Sequence, residues 1–445
     1  MSGFWRELFR PKDAHGSEQT LLLCTYILGL TPFRLRGPAG ARRFQLSKIG
    51  YLNALLQLSF FSYCFLRALI QQQSIVGYFF KSEISQVGDS LQKFIGMTGM
   101  SILFLCSTIR VRLLIHLCNL ISRIDGHLLD VGVAFDYPAI MRLRHSQLLL
   151  MSAVQLAYLA SSTWMLLRND VRPSYPAAVA FYVPLIFLLS TVILFGAFLH
   201  RLWQHFDALN KVLKNLSHQW DSRSLKAVAQ KQRSLQCLDS FSMYTIVTKD
   251  PAEIIQESME IHHLICEAAA TANKYFTYQL LTIISIAFLI IVFDAYYVLE
   301  TLLGKSKRES KFKTVEFVTF FSCQMILYLI AIISIVEGSN RAIKKSEKTG
   351  GIVHSLMNKT KSPEVKEKLQ QFSMQLLHLK INFTAAGLFN IDRTLYFTIS
   401  GALTTYLIIL LQFTSNSPNH GNGNGGNGNY YPCCETFNNI TNNTN

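Results

Sequence analysis

Long apolar stretches alternate with polar, charged stretches along most of this chain. Seven of the apolar stretches approach the roughly 20 residues that a helix needs to cross a bilayer. They cover residues 48–70, 91–109, 146–167, 176–199, 275–299, 315–337 and 394–413. The pattern predicts an all-α membrane protein with seven transmembrane helices, called spans 1 to 7 below.

A shorter apolar run precedes span 1, at residues 20–33. It follows a charged lead, it is short for a full span, and no small-residue cleavage site lies behind it. These features favour an interfacial or half-inserted helix over a signal peptide.

Two of the polar segments carry apolar residues at a helical spacing. One follows span 4, and the other lies between spans 6 and 7, where the steps alternate between four and three residues. This second stripe contains Val365, Leu369, Phe372, Leu376 and Leu379. A helix packed on its own chain and a contact between subunits both account for such a stripe.

Lysine and arginine are distributed unevenly between the two sides of the predicted membrane. They are frequent before span 1 and after spans 2, 4 and 6, sparse after spans 1 and 3, and absent from the tail. Cytosolic loops carry the excess of positive charge in membrane proteins. The distribution therefore predicts a cytosolic N-terminus and an extracellular C-terminus, although the basic loop after span 5 departs from it.

The spans and the charges together divide the chain into seven parts. The predicted parts are a cytosolic N-terminal segment with a short interfacial helix (1–47), spans 1 to 4 (48–199), a cytosolic helical extension (200–274), spans 5 and 6 (275–337), a cytosolic helical segment (338–393), span 7 (394–413) and a disordered extracellular tail (414–445).

The tail is rich in asparagine and glycine, a composition typical of disorder. It contains two glycosylation sequons, at Asn439 and Asn442. Such sites are used only when they face the lumen during synthesis. The predicted orientation makes both available.

Composition and charge narrow the function. The chain is 50% hydrophobic and 16% charged, and its net charge of +15 lies in the loops of a membrane protein. Nothing therefore indicates a nucleic-acid role. His262 and Cys266 share a helix face, but a closed zinc site needs four ligands, so no metal or other cofactor is predicted. No catalytic constellation or P-loop stands out, which argues against an enzyme.

Span 7 carries an unusual polar stripe. Thr398, Thr405 and Gln412 are seven residues apart and share one face, which Ile409 continues. A water-filled lumen or a helix contact favours such a stripe, whereas lipid does not. Alternatively, the threonine hydroxyls bond their own carbonyls and Gln412 bonds a neighbouring helix.

The same span carries a recognisable motif. Thr405-Tyr406, five apolar residues and Gln412-Phe413 resemble the signature of the insect gustatory receptor family, in the last span, where that family has it. Residues 26–35 (YILGLTPFRL) and the C-terminal third look most like the twenty-eight lineage of that family. The long Asn/Gly-rich tail departs from the short tails usual there.

The resemblance implies a fold and a mechanism. These receptors are similar to insect odorant receptors, which are tetrameric, ligand-gated, nonselective cation channels. It assigns Thr405 and Ile409 to the inner pore wall and Gln412 and Phe413 to the gate. It also implies that the cytosolic ends of spans 4 to 7, including residues 200–274 and 338–393, form an anchor layer between subunits, in which the stripe of Val365 to Leu379 would find its partner. It places a ligand pocket in the outer half of each subunit, with the candidates Tyr158, Trp164, Tyr182, Asp294, Tyr297, Phe320 and Gln324.

Asp294 has two interpretations. An intramembrane carboxylate marks a site or an ion pair, for which Arg67 is a candidate partner, or it reaches to water at the membrane surface.

The expected function is that of a sensory receptor in the plasma membrane of a chemosensory neuron. Its expected partners are membrane lipid, a small-molecule tastant and further receptor subunits, as a homotetramer or with other gustatory receptors. Bitter or multimodal sensing, including temperature or light, is favoured over sugar. A G-protein-coupled receptor requires the opposite orientation, and a transporter requires an internal repeat that the sequence lacks.

Overall fold

A computed structural model describes residue 11 and residues 13–37, 43–71, 75–76, 83–221, 250–303 and 312–416. Within these residues the protein is helical apart from two short hairpins. The tail with Asn439 and Asn442, most of the basic loop after span 5 and much of the segment after span 4 lie outside the described residues.

The chain begins with two short helices and a hairpin. Helices α1 (Ala14–Ser17) and α2 (Gln19–Ile27) lead into strands β1 (Phe33–Arg36) and β2 (Arg43–Leu46), which pair antiparallel. The short helix was predicted, but the hairpin was not. At its close, Ser47 accepts a hydrogen bond from the Gly50 amide at 3.2 Å and caps the next helix.

Seven helices are long and apolar enough to cross a membrane, so the prediction of an all-α membrane protein with seven candidate spans is confirmed. They are α3 (Lys48–Ile70), α4 (Glu83–Ile109), α6 (Tyr137–Arg168), α7 (Tyr175–Asp221), α8 (Pro251–Leu302), α9 (Thr314–Lys359) and α11 (Thr394–Asn416).

Three of these helices are far longer than a bilayer requires. Helix α8 has 52 residues, which makes it about 78 Å long at 1.5 Å per residue. Helices α7 and α9 have 47 and 46 residues. Their ends, together with α5 (Val111–Asp130) and α10 (Pro363–His378), pack into a helical layer beyond the membrane-spanning part.

Helix α5 was not predicted from the sequence. It is amphipathic, and its apolar face is buried against α8. Helix α10 begins at Pro363, whose fixed φ suits the first helical position. It ends at His378, so Leu379, the last residue of the predicted stripe, lies just beyond the helix.

Small residues allow close packing inside the membrane-spanning part. A Cβ atom at Gly88 or Gly99 of α4 would meet side chains of α8, namely Phe293 and Tyr297 at the first and Ile286 at the second. Glycine therefore permits this approach of two helices, as it does in many membrane proteins.

A second hairpin connects the layer to the last helix. Strands β3 (Thr384–Ala385) and β4 (Phe389–Asn390) pair antiparallel. The amide of Thr384 donates to the side chain of Asn273 on α8 at 3.0 Å. The entry to α11 is thereby fixed to α8.

Candidate functional site

Helix α11 lies at the edge of the helical bundle with most of its surface uncovered. Only 6% of its apolar window is buried inside the chain. The exposed side chains include Tyr406, Ile408, Ile409, Gln412 and Phe413. An apolar helix without a cover is expected to contact lipid, another subunit, or both.

One face of α11 packs on its own chain, through partly buried apolar residues that include Ile399, Leu403 and Leu407. Near its middle, the rings of Tyr406 and Phe288 of α8 meet edge to face, with centroids 6.0 Å apart. At its start, both guanidinium nitrogens Nε and Nη2 of Arg393 donate to Glu337 of α9 at 2.9 Å. The helix is therefore attached along one side and at one end.

The polar stripe of α11 is partly satisfied by the helix backbone. Thr405 donates to the Gly401 carbonyl at 3.0 Å, and Thr398 donates to the Thr394 carbonyl at 3.4 Å. This is the back-bonding that the sequence left open as an alternative. The threonine oxygens still have lone pairs on the uncovered face, next to exposed Ile409 and Gln412.

Several predicted pocket residues form one buried aromatic cluster between α6, α7 and α9. Tyr158 packs edge to face on Tyr182, with centroids 6.0 Å apart, and its hydroxyl donates to Gln324 at 3.4 Å. Phe320 stacks on Phe181 at 5.9 Å. Aromatic rings with a few polar groups suit an organic ligand.

Asp294 and Tyr297 of α8 lie at the edge of this cluster. The Tyr297 ring lies 5.1 Å from the ring of Phe321, which meets Phe320 of the cluster edge to face. Asp294 is 1% exposed, and its Oδ2 atom has no hydrogen-bond partner. An ionised carboxylate in such a position is costly unless a cation or donor accompanies it.

Two sequence-based expectations about this region are not met. Asp294 is buried rather than extended to water, and it forms no ion pair with Arg67 in the part of the chain that the structure describes. Arg67 donates to the hydroxyl of Tyr63 at 3.3 Å instead. Trp164 lies outside the cluster. Its side chain is 63% exposed, and the guanidinium of Arg168 lies 5.4 Å from the centre of its ring.

A narrow cleft of about 30 Å³ reaches the cluster at Phe181 and Tyr328. That volume holds little more than one water molecule. Its polar lining includes the ion pair of Asp89 and Lys93 at 2.7 Å, which the sequence did not single out. A larger ligand would have to displace side chains here.

The predicted anchor stripe is covered mainly by its own chain. Val365, Leu369 and Phe372 are buried where α10 packs against α8 and α9. Leu376 and Leu379 are half-buried. The uncovered apolar side chains of α10 are Met374, 60% exposed, and Leu377, 65% exposed. A contact between subunits through α10 would use these two.

His262 is enclosed rather than poised to bind a metal. Its ring packs on Phe206 and Phe372, and its Nε2 atom lies 3.7 Å from Cys266 Sγ. No group of three or more potential metal ligands occurs among the described residues. All six cysteines in the described part of the chain are free thiols.

A buried polar cluster in the helical layer was not predicted from the sequence. In the layer, Asp125 accepts hydrogen bonds from Arg201 at 2.5 Å and Tyr137 at 3.1 Å, and it lies 2.7 Å from Nε2 of His205. Burial alone would raise the pKa of Asp125, but Arg201 and His205 outweigh it, so the pKa of this carboxyl lies below its ordinary value. Each of these polar residues lies alone in an amphipathic stretch, so the sequence did not indicate that they meet.

The sequence is similar to known chemosensory receptors. The family model of the 7tm chemosensory receptors matches residues 18–417. The chain is 62% identical to gustatory receptor 28b of Drosophila melanogaster, over 99% of this chain and 93% of that protein. It is 34% identical to gustatory receptor 28a of the same species, over 91% and 93% of the two chains.

The fold is similar to a solved insect olfactory receptor. OR5 of Machilis hrabei superimposes with a TM-score of 0.59 at 14% identity, covering 88% of this chain and 97% of that one. The same receptor in complex with eugenol gives a TM-score of 0.52 over the same shares of the two chains. At this identity, the likeness concerns the fold.

Proposed function

The chain belongs to the insect gustatory receptor family, of the twenty-eight lineage, and from this membership we propose that it forms a ligand-gated, nonselective cation channel. Members of the family are receptors rather than enzymes. The proposed unit is a tetramer in the plasma membrane of a chemosensory neuron, built from this chain alone or with other gustatory receptors.

One observation carries the proposal. The helix with the Thr405-Tyr406 and Gln412-Phe413 signature is the least covered of the seven candidate spans. It is attached to α8 on one side, so its other side is free to meet copies of itself. Four such helices around one axis would place Thr405 and Ile409 along a pore, with Gln412 and Phe413 at its mouth.

The aromatic cluster is the proposed ligand site. It lies between α6, α7 and α9, and Asp294 of α8 is within electrostatic reach of it. The narrow cleft beside it must widen for a tastant to enter. Since α8 also carries the contact of Phe288 with Tyr406, a displacement of α8 by the ligand would be transmitted to α11.

The proposed orientation places the N-terminus in the cytosol and the C-terminus outside. It rests on the distribution of lysine and arginine and on the sequons of the tail. Bitter or multimodal sensing, including temperature or light, is the proposed modality, from the resemblance to the twenty-eight lineage. A G-protein-coupled receptor, which needs the opposite orientation, is the alternative, and a transporter is disfavoured.

Staining of an epitope tag tests the orientation. A tag is placed after Asn445, and intact cells are stained beside permeabilised ones. Staining of intact cells supports the channel layout. Staining only after permeabilisation, with surface delivery shown by biotinylation, would favour the G-protein-coupled layout.

Cysteine substitution tests the pore. Gln412→Cys should make the current of expressing cells sensitive to a charged, membrane-impermeant thiol reagent, because position 412 would face the permeating water. The control is Leu411→Cys, whose side chain is half-buried against the chain itself. Equal sensitivity of the two variants and of the parent would remove the pore assignment of α11.

A further inference from the structure

A groove of about 720 Å³ opens on the side of the subunit between α6, α7 and α9. This volume lies within the range of about 300–1,000 Å³ that is usual for ligand sites. It is distinct from the aromatic cluster, which lies further along the same helices. The groove begins where all three helices pass from the helical layer into the membrane-spanning part.

The membrane half of the groove is apolar. Leu150 of α6, Ile193 of α7 and Ile333 of α9 line it. Leu150 is 65% exposed and Ile333 is 48% exposed, so these walls are open to the surroundings of the subunit. In a membrane, the surroundings of such a wall are acyl chains.

Gly196 of α7 lies in the lining of the groove. A Cβ atom at this position would meet nothing within 4 Å, so the groove is open space beside this residue. A large side chain at this position would occupy that space.

The layer end of the groove is basic and aromatic. Arg341 is exposed there, and the Trp203 ring lies beside it, with the ammonium of Lys345 5.2 Å above the ring. The one carboxylate in the lining is Glu337, which two hydrogen bonds from Arg393 neutralise. Arg341 also acts on Glu337, so at least two positive charges surround this one carboxylate.

Further basic residues strengthen this end. Lys344 and Lys345 lie on the same side of α9 as Arg341, at the spacing of one helical turn. Asp207 pairs with both Lys345 and Lys211, so two positive charges share one negative charge. The rim therefore carries an excess of positive charge, and tryptophan is a side chain that favours the headgroup level of a bilayer.

From this arrangement we propose that the groove binds a phospholipid with an anionic headgroup. The acyl chains lie along Leu150, Ile193 and Ile333 past Gly196, and the phosphate and headgroup meet Arg341 beside Trp203. The proposed orientation places this rim at the cytosolic leaflet, where anionic lipids are enriched. The lipid would then bridge α6 to α9.

Lipid retention by the purified full-length receptor tests the proposal. Native mass spectrometry compares bound phosphatidylserine with bound phosphatidylcholine of the same acyl chains. The parent should retain phosphatidylserine preferentially, and Arg341→Gln should lower its retention about fivefold, the effect of one basic residue at a membrane surface. Lys348→Gln, an exposed basic residue of the same helix outside the lining, should leave retention unchanged.

Two variants at one position test the groove itself. Gly196→Phe should fill the groove and lower retention, whereas Gly196→Ala should fit and leave retention unchanged. Should the phenylalanine variant fail to fold, phosphatidylserine with a photoreactive acyl chain should still label residues 147–151 and 192–199 of the parent.

Four results would overturn the proposal. They are equal retention of the two lipids by the parent, equal losses in Arg341→Gln and Lys348→Gln, absence of labelling in both segments, and full competition by water-soluble glycerophosphoserine. The last result would indicate a site for a free anion rather than for a lipid.

Discussion

The Nη2 atom of Arg201 lies 2.5 Å from the Oδ2 atom of Asp125, and both side chains are almost completely buried in the helical layer. Arg201 comes from α7, just beyond its span, and Asp125 comes from α5. The guanidinium also lies over the Phe135 ring at 5.0 Å. This buried ion pair joins a membrane-crossing helix to a helix of the layer.

Asp125→Ala is expected to destabilise the receptor by about 3–5 kcal/mol, because it leaves Arg201 buried without a counter-ion. Thermal unfolding of the purified protein in detergent measures the change. Asp130→Ala is the matched control, since Asp130 is exposed at the end of the same helix. Similar shifts in both variants would mean that the buried pair contributes no more than a surface charge.

The stabilisation by Asp125 should depend on pH with a defined sign. Its folded-state pKa is lowered, so the ionised form stabilises the fold at every pH above the unfolded pKa of about 3.9. As the pH falls through the folded pKa, this contribution is lost. The difference in unfolding temperature between the parent and Asp125→Asn should be constant above about pH 5 and should shrink below about pH 4. A difference that grows on acidification would contradict the assignment.

Gln412→Ala should change gating or permeation by about twofold or more while sparing surface expression, because a polar ring at a pore mouth would lose its amides. Whole-cell current under a fixed stimulus and surface biotinylation are measured together. The control is Thr404→Val, an exposed position two turns earlier in α11 whose hydroxyl donates to the Ser400 carbonyl. Currents equal to those of the parent would show that Gln412 is not part of the gate.

Leu377→Asp should disrupt the assembly of subunits. Leu377 is 65% exposed on α10, so a charge there spares the interior of the single chain but would be buried in a subunit contact. Leu376→Asp should disrupt assembly as well. Because Leu376 is half-buried in its own chain, this variant also perturbs the packing of α10 within the chain. Size-exclusion chromatography with light scattering measures the oligomer, and Gln371→Asp is the exposed control. A normal tetramer from Leu377→Asp would exclude this face of α10 from the interface.

Asp294→Asn should shift the concentration for half-maximal response by about tenfold, since it replaces the carboxyl group in the proposed ligand site by an amide of nearly the same volume. The stimulus is the compound that gives the largest current in a panel of bitter substances. Trp164→Ala should have little effect, because Trp164 lies outside the cluster. The opposite ranking of the two variants would move the ligand site to the outer surface of α6.

The sequence predicted the seven spans because each satisfies a local condition, an apolar run of sufficient length. It also predicted the helical continuation of span 4, because Leu202, Phe206 and Leu209 recur with a helical period. It missed α5, because the polar residues of this amphipathic helix leave no continuous apolar run. It included Trp164 among the pocket residues, since the sequence does not distinguish an aromatic side chain that points into the bundle from one that points outward.

The sequence by itself determined the membrane class, the number of candidate spans and the signature of the last helix. The proposed orientation also rests on the sequence alone. These properties depend on residues that are neighbours along the chain. Only the tertiary structure decided that α11 lies uncovered at the edge, that Asp294 is buried beside tyrosines, and that Asp125 meets Arg201, 76 residues further on. Those relationships depend on which helix faces meet, and that is fixed by packing across the whole bundle.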